Sequence, residues 1–419
     1  MGELRQDAGN PRRPFEDDST MRICMVAYSF YETDNRVRRY AEALARRGDQ
    51  VDALSVGGPS QPRQETIEGV RVFRLQSRVR DEGGPFSYLF KLLLFFFRTA
   101  WFLTVSQFRK PYDLIHVHNL PDFEVFATLV PRLMGARVIL DMHEITPEFY
   151  ASKFGVGERS WIFRLLALVE RLSIAYVDYV VVVNHMVERA VLRRRSVRPE
   201  KCMVILNYPD PRIFHPKAGP EQPRQGFTLC YPGTLNRHQG VDIAVEAVAL
   251  AREKAPGLRF LIIGDGAERE NLRRLVHERR LNDVVTITGT VSLEEVSRVM
   301  ETIDAGVVPK RGEGFGSIAF STKIMEFMAK GVPVIASRTP IDEFYFNDRL
   351  VEFFESGSAE DLARTILRLI EAPDRLAALR QAGSEFIALN NWDLKQKDYL
   401  ALVDRLAERK VRLHAPTIL

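Results

Sequence analysis

The chemistry-bearing residues of this chain crowd into one stretch. Gly312-Glu313-Gly314-Phe315-Gly316-Ser317 is followed closely by Ser321-Thr322-Lys323-Ile324-Met325-Glu326. An apolar run ending at Val308-Pro309 stands before it, and a helical pattern to Lys330 follows. Glycines between a strand and a helix start let backbone N–H groups approach an oxyanion, and the helix dipole favours its charge. Lys323 and Glu326 are three residues apart and share one helix face. There a Lys suits a phosphate and a Glu suits a ribose diol. The plainer alternative is a solvated ion pair at a helix start.

Other strand ends carry reactive residue types. Gly264-Asp265-Gly266 closes the run Arg259–Ile263, but Arg269 stands where a Gly-x-Gly-x-x-Gly fingerprint needs its last glycine. A hydride-transfer cofactor is therefore poorly supported. Gly233-Thr234-Leu235-Asn236-Arg237-His238-Gln239-Gly240 is another strand-to-helix loop, with Arg237 available to an anion. The absence of a Gly-x-x-x-x-Gly-Lys-Ser/Thr loop excludes nucleotide hydrolysis on a P-loop. Nearer the front, two runs end in His116-Val117-His118-Asn119 and Asp141-Met142-His143-Glu144. Carboxyl ends of parallel strands are where an open sheet places its site. Two such histidine-bearing ends raise a metal reading, which is set aside because no His-x-x-x-His helix or third ligand is evident. Nor does an Asp-x-Asp pair occur, so amides and cations would have to neutralise any diphosphate.

The elements that must hold these residues are short β-branched runs alternating with amphipathic, helix-length segments. That is the pattern of parallel α/β sheets. The front series is Arg22–Ser29, Val51–Val56, Val70–Leu75, Asp113–His118, Ala136–His143, Tyr179–Asn184 and Cys202–Leu206. A proline-rich polar stretch follows. Then come Phe227–Pro232, Arg259–Ile263, Val284–Thr288, Gly306–Pro309, Val332–Ser337 and Val351–Phe354, with helices between them and a long helix near Trp392–Arg412. The expected organisation is a disordered leader (1–20), a front domain (21–212), a linker (213–226), a second α/β domain (227–388) and a terminal helix (389–419). A cleft lined by the carboxyl ends of both sheets is expected between the domains.

Bulk properties agree. A chain of 419 residues is long enough for two cores, and 46% hydrophobic with 27% charged residues rules out wholesale disorder. The net charge of +4 is too small to imply a nucleic-acid partner. Between Met21 and Arg212, however, 28 Lys and Arg face 21 Asp and Glu, a positive field suited to an anionic surface or substrate. Cys24, Cys202 and Cys230 are far apart and lie in apolar runs, so a reducing compartment is expected. No secretory signal is visible. In Phe86–Phe108, 16 of 23 residues are apolar, with Lys91 and Arg98 on nearly one helical face and Arg109 just beyond. This predicts an amphipathic helix that lies on a surface, with a core helix as the equal alternative.

Taken in order, these pieces resemble the retaining glycosyltransferases of family 4, from about Met21 to Trp392. The pieces are Asp34-Asn35-Arg36-Val37 with Gly48, Asp113-Leu114-Ile115-His116-Val117-His118, Asp141-Met142-His143-Glu144, Val204-Ile205-Leu206-Asn207, Gly264-Asp265-Gly266, and Thr322-Lys323-Ile324-Met325-Glu326 running on to Ser337. The resemblance implies the GT-B fold: two Rossmann-like parallel-sheet domains facing each other across a cleft, with the last helix crossing back. It implies that His143 faces the donor sugar and Glu326 holds the ribose hydroxyls. Gly314 and Phe315-Gly316-Ser317 would offer amides to the diphosphate, and Thr290-Val291 would flank the base. Tyr31, Asp34, Arg36 and His118 would fall on the acceptor side.

The resemblance also implies transfer without a metal or other cofactor from a UDP- or GDP-linked sugar, by front-face attack. The expected acceptor is lipid-linked or a polysaccharide precursor, met at the cytoplasmic face of an anionic membrane. The sequence departs from the family at three places. Tyr28-Ser29-Phe30-Tyr31-Glu32-Thr33 replaces a Gly-Gly loop, and Thr234 and Gln239 stand where Arg and Lys are usual, leaving Arg237 and Lys323 to supply positive charge. The family's Glu-x7-Glu pairs Glu326 with Ile318, whereas alignment on Glu313-Gly314-Phe315-Gly316 gives Glu313 the catalytic position at the cost of five extra residues. An epimerase on the same fold, or a silent nucleotide-sugar-binding subunit, is the alternative reading.

Overall fold

A computed structural model describes residues 20–78, 84–143, 145–147, 150, 157, 159–195, 197–216 and 226–414. Leader residues 1–19, linker residues 217–225 and Glu144 lie outside the described residues, as do the side chains of Phe86, Phe315 and 193–195 in the basic run.

Two sheets organise the chain. The first contains β1 (Arg22–Phe30), β2 (Gln50–Gly57), β3 (Gln64–Ile67), β4 (Val70–Ser77), β5 (Leu114–His118), β6 (Arg137–Met142), β7 (Tyr179–Val182) and β8 (Cys202–Val204). Their order is β3-β4-β2-β1-β5-β6-β7-β8. The second contains β9 (Phe227–Pro232), β10 (Leu258–Ile263), β11 (Val285–Ile287), β12 (Ala305–Val308), β13 (Val334–Arg338) and β14 (Glu352–Glu355), in the order β11-β10-β9-β12-β13-β14. All six strands of the second sheet are parallel. In the first sheet β3 runs antiparallel to β4. The short polar strand β3 is absent from the expected series because its residues, Gln64-Glu65-Thr66-Ile67, carry almost no apolar signal.

The helices are α1 (Asn35–Arg47), α2 (Gly84–Arg109), α3 (Leu129–Leu133), α4 (Trp161–Tyr176), α5 (His185–Arg195), α6 (Val241–Ala251), α7 (Arg269–Glu278), α8 (Leu293–Met300), α9 (Thr322–Ala329), α10 (Pro340–Tyr345), α11 (Ala359–Ile370), α12 (Pro373–Leu389) and α13 (Trp392–His414). By contacts the chain divides into two compact units. One is Met1–Val117 with Ala127–Val138 and Arg409–Leu419, and the other is His118–Phe126 with Ile139–Glu408.

Strands buried on both faces read as unbroken apolar runs. All four residues of β7 and all four of β12 are buried. The second sheet's core joins Leu229, Tyr231, Phe260, Ile262, Val307 and Ile335 to the inner faces of α6, α7 and α11. Phe214 is already buried in the cluster on its other face, with Ile324, Phe327 and Val334. The chain therefore enters this core before the proline-rich stretch is over. Within the second unit α13 returns to the first sheet, where the Arg405 guanidinium lies 5.1 Å from the Tyr179 ring centre on β7. The three cysteines are buried and free, and burial pushes the Cys202 and Cys230 thiols up to about 12.

Helix α2 has features of both expectations. By length and composition Ser87–Arg109 is long and apolar enough to cross a membrane. One face, carrying Leu92, Phe95, Thr99, Leu103 and Gln107, is nevertheless buried in the first unit. The cations lie at the margin of the outward face, with Arg98 exposed. The Lys91 carbonyl accepts from Gln76 Nε2 at 3.2 Å, and Arg98 donates to the Leu75 carbonyl at 2.9 Å, so their stripe borders β4. Outward stand Phe90, Leu93, Phe97, Trp101 and Phe108, from 40% to 73% exposed. Arg109 is exposed at the helix end.

Candidate functional site

Sheet topology selects the place where loops can converge. In the second sheet the chain proceeds from β9 outward through β10 to β11, then returns to the other side of β9 for β12, β13 and β14. The connections after β9 and β12 therefore diverge, and a crevice opens between them. These are the two loops that the glycines and cations single out.

The loops clamp one another. Arg311 N–H donates to the His238 carbonyl at 2.9 Å. The Arg311 guanidinium reaches the Arg237 carbonyl at 2.8 Å and grips the Asp242 carboxylate with two bonds of 2.8 and 2.6 Å. Burial pushes the Asp242 carboxyl up, but the Arg311 bonds and charge outweigh it and hold it below the usual range. Behind the second loop, Lys310 Nζ lies 2.9 Å from Asp342 and donates to the Ala319 carbonyl at 2.7 Å. Thr339 Oγ1 completes the Asp342 pairing at 2.6 Å. This buried clamp is invisible in the sequence, because Lys310 and Asp342 are 32 positions apart. The nearest signal is a lysine placed two residues after a buried strand.

Within this frame Gly233, Thr234, Gln239, Gly264 and Lys323 come together. Gly233 and Gly264 end neighbouring strands with φ of +143° and +146°, and a Cβ on Gly264 would lie 1.9 Å from the Gly233 carbonyl oxygen. Only glycine lets the two turns approach so closely. Tyr231, unforeseen from the sequence, ties the rest: its hydroxyl donates to the Thr234 carbonyl at 2.9 Å and bonds Gln239 Oε1 at 3.1 Å. Thr234 and Gln239 thus brace the loop instead of presenting charge. Lys323 Nζ stands 5.3 Å from the Tyr231 ring centre and would lie 3.0 Å from a Cβ on Gly233. Among the described residues it has no ion-pair partner within 4 Å. Burial pushes its ammonium below the ordinary lysine range, with Glu326 acting upward and Lys310 further downward. Burial, Lys323 and Lys310 together depress the His238 imidazole.

Helix α9 begins at this point. Ser321 precedes it without capping it, and its hydroxyl is buried with no partner among the described residues. Glu313 is exposed, and Gly314, Phe315, Gly316 and Ser317 form the turn above, in which Ser317 Oγ donates to the Gly314 carbonyl at 2.7 Å. A Cβ on Gly316 would meet the Arg311 carbonyl at 2.0 Å. Arg237 is exposed on the facing loop. Thr290 and Val291 follow β11 at the sheet edge, two strands from β9, and are exposed.

The front residues form a separate cluster in the second unit. At the ends of β5 and β6, His118 Nδ1 lies 3.1 Å from Asp141 Oδ2 and 3.1 Å from His143 Nε2. His143 Nε2 is itself 3.3 Å from the same Asp141 oxygen. The His143 backbone N–H donates to Asn119 Oδ1 at 2.7 Å, and Asn119 Nδ2 donates to Asp122 at 2.9 Å. Asp141 and His118 are fully buried, whereas the His143 side chain keeps 22% exposure. His118 therefore stands behind His143. No hydrogen bond or ion pair among the described residues joins Glu313 to His143. Of the residues expected on the acceptor side, Tyr31 and Arg36 are buried in the first unit. Asp34 caps α1 by accepting from Val37 N–H at 3.2 Å.

A further tie within this unit reaches the loop after β12. Asn184, just past β7, donates to the Ile318 carbonyl at 3.2 Å. His185 Nδ1 meets the Tyr345 hydroxyl at 2.7 Å.

Family profiles match both halves of the chain: "Glycosyl transferase 4-like domain" over residues 33–207 and "Glycosyl transferases group 1" over residues 217–386. The chain belongs to the group 1 glycosyltransferases. Its two parallel-sheet, Rossmann-like domains are those of the GT-B fold. It is 25% identical over 385 residues to the 2-deoxystreptamine glucosyltransferase of Streptomyces kanamyceticus, covering 84% of this chain and 93% of that protein. With the D-inositol 3-phosphate glycosyltransferase of Pseudarthrobacter chlorophenolicus it shares 29% identity over 188 residues, a match spanning 43% of this chain and 44% of that protein. The structure of Anabaena Alr3699/HepE in complex with UDP-glucose has the same fold, with a TM-score of 0.66 at 15% identity over 93% of this chain and 99% of that one.

Proposed function

We propose that this glycosyltransferase moves a sugar from a UDP- or GDP-linked donor, with retention and without a metal, to a lipid-linked or polysaccharide-precursor acceptor at the cytoplasmic face of a membrane. The observation that carries the donor assignment is Lys323: a half-buried ammonium with no ion-pair partner among the described residues, at the start of a helix, where two glycine-bearing loops meet at the sheet's switch point. A diphosphate supplies the missing negative charge there, and the amides at the α9 N-terminus complete its shell. Glu326, one turn into the helix, takes the ribose hydroxyls.

In the reaction the sugar C1–O bond to the diphosphate breaks, and charge develops on the leaving phosphate oxygen. Lys323, Arg237 and the loop amides stabilise that charge, which is the largest contribution such a site can make. The acceptor oxygen bonds C1 from the same face, and its proton passes to the leaving oxygen. His143, held by Asp141, His118 and Asn119, presents its exposed ring edge to the donor sugar. The outward face of α2, with Phe90, Phe97 and Trp101 beside exposed Arg98 and Arg109, supports contact with an anionic leaflet.

A panel of UDP- and GDP-sugars tests the donor by thermal shift, since a ligand at 100 times its dissociation constant stabilises by about 2.7 kcal/mol. Radiolabelled donor with membranes and EDTA then tests transfer. Stabilisation by no nucleotide sugar overturns the donor assignment, EDTA-abolished transfer overturns metal independence, and product formed without acceptor favours the epimerase reading. Sedimentation with anionic but not neutral vesicles is expected, and Phe97→Ser with Trp101→Ser should abolish it. Sedimentation with no vesicle overturns the membrane-peripheral reading and favours a helix that simply covers the front sheet, with a soluble acceptor.

A further inference from the structure

We propose that His118, Asp141 and His143 form a binding site for a divalent transition ion of the zinc class, and that the ion, once bound, inhibits transfer. The three ligand atoms, His118 Nδ1, Asp141 Oδ2 and His143 Nε2, stand 3.1, 3.1 and 3.3 Å apart. Zinc bonds nitrogen and oxygen at about 2.0–2.1 Å in tetrahedral geometry, which puts neighbouring ligand atoms about 3.3 Å apart. The triangle therefore already has the edge lengths of one face of such a tetrahedron. Two imidazoles and one carboxylate are the donor set of many three-ligand zinc sites, with the fourth position open to water.

The site is also rigidly held. Asp141 and His118 end neighbouring strands and are fully buried. The His143 backbone is fixed by Asn119, whose own N–H bonds the Asp141 carbonyl at 3.0 Å. Only His143 reaches solvent, at 22% exposure, so it marks the side from which an ion enters. These bonds fix the backbone that carries the ligand side chains. The sequence offered two histidine-bearing strand ends and no visible third ligand. The fold supplies that ligand as Asp141, the penultimate residue of β6, two residues before His143, which follows the strand.

Inhibition rests on the reading that His143 touches the donor sugar. An ion on Nε2 would lock the ring against Asp141 and place a positive charge beside a reaction centre in which C1 itself becomes electron-poor. The diphosphate site, built on the second sheet, would be untouched. Transfer would stop while nucleotide binding persisted.

The test uses the full chain, stripped with chelator and dialysed. Zn2+ is followed by titration calorimetry, and Co2+ by the strong visible absorption of a low-coordinate ion. One ion per chain is expected. His143→Gln, at the most exposed of the three positions, should weaken binding at least about tenfold, since loss of an outer partner alone costs about 10–100-fold. Asp141→Asn should do the same, while His277→Gln, at an exposed imidazole far along the sequence, should change nothing. Zinc should abolish transfer reversibly and leave UDP affinity as it was. Absence of stoichiometric binding by the wild type overturns the site, as does binding that survives His143→Gln. Site-specific binding without inhibition leaves the metal site standing and overturns the role of His143 in transfer.

Discussion

Two lysines beside the same loop should respond in opposite ways to loss of their charge. Lys310 is 2% exposed and lies 2.9 Å from Asp342, which is fully buried. Replacing it with Met leaves the Asp342 carboxylate in the core with the Thr339 hydroxyl as its remaining named partner. Breaking one side of a buried pair costs about 3–5 kcal/mol. Lys323 is chemically the same residue, yet it has no carboxylate within 4 Å among the described residues, and burial already disfavours its charge. Lys323→Met therefore removes a destabilised charge and should leave the thermal midpoint unchanged or raised. Its cost should appear in ligand binding instead. Loss of one charge-assisted hydrogen bond to a diphosphate is worth about 1.5–3 kcal/mol, roughly 12- to 160-fold in affinity. Calorimetric titration with UDP and GDP, and thermal melts on the same preparations, measure both quantities. The reasoning fails if Lys323→Met binds nucleotide like the wild type, or if it loses as much stability as Lys310→Met.

Glu326→Gln should weaken nucleotide binding without lowering the melting temperature; unchanged affinity for both UDP and GDP would move the ribose elsewhere. His143→Ala should reduce kcat far more than donor affinity, because its contact matters most as the glycosidic bond breaks; equal losses would make it a positioning residue. His238 offers a pH test. Burial, Lys323 and Lys310 hold its imidazole below the usual value of 6.5, and a bound diphosphate should raise it. The complex then binds more protons than the free protein, so donor affinity should increase as pH falls through the value in the complex and level off below the free value. An NMR titration of the His238 ring with and without UDP checks this, and a value that UDP does not shift would place the diphosphate elsewhere.

Much of this protein was legible in one dimension, for a definite reason. Strands buried on both faces must be continuously apolar, so β7 and β12 announce themselves. Glycines at strand-to-helix junctions are demanded by backbone geometry, so Gly233, Gly264 and Gly316 could be picked out before any contact was known. Helix periodicity placed Lys323 and Glu326 on one face. These are local requirements, and local requirements leave marks on neighbouring residues.

What only the tertiary structure decided is which distant residues share those places. No spacing rule says that Lys310 will be neutralised by Asp342 while Lys323 is left without an ion-pair partner among the described residues. Nor does one say that Tyr231 will brace Thr234 and Gln239, or that Asp141 will hold His118 and His143 within 3.3 Å of one carboxylate oxygen. The family resemblance put Tyr31 and Arg36 on the acceptor side, and only packing showed that both are buried. On α2 the periodicity put Lys91 and Arg98 on one stripe, but which stripe met the sheet depended on strand β4. The aromatic face was left outward. Burial and charge pairing are set by the sum of contacts from several elements at once, and that sum exists only in the folded chain.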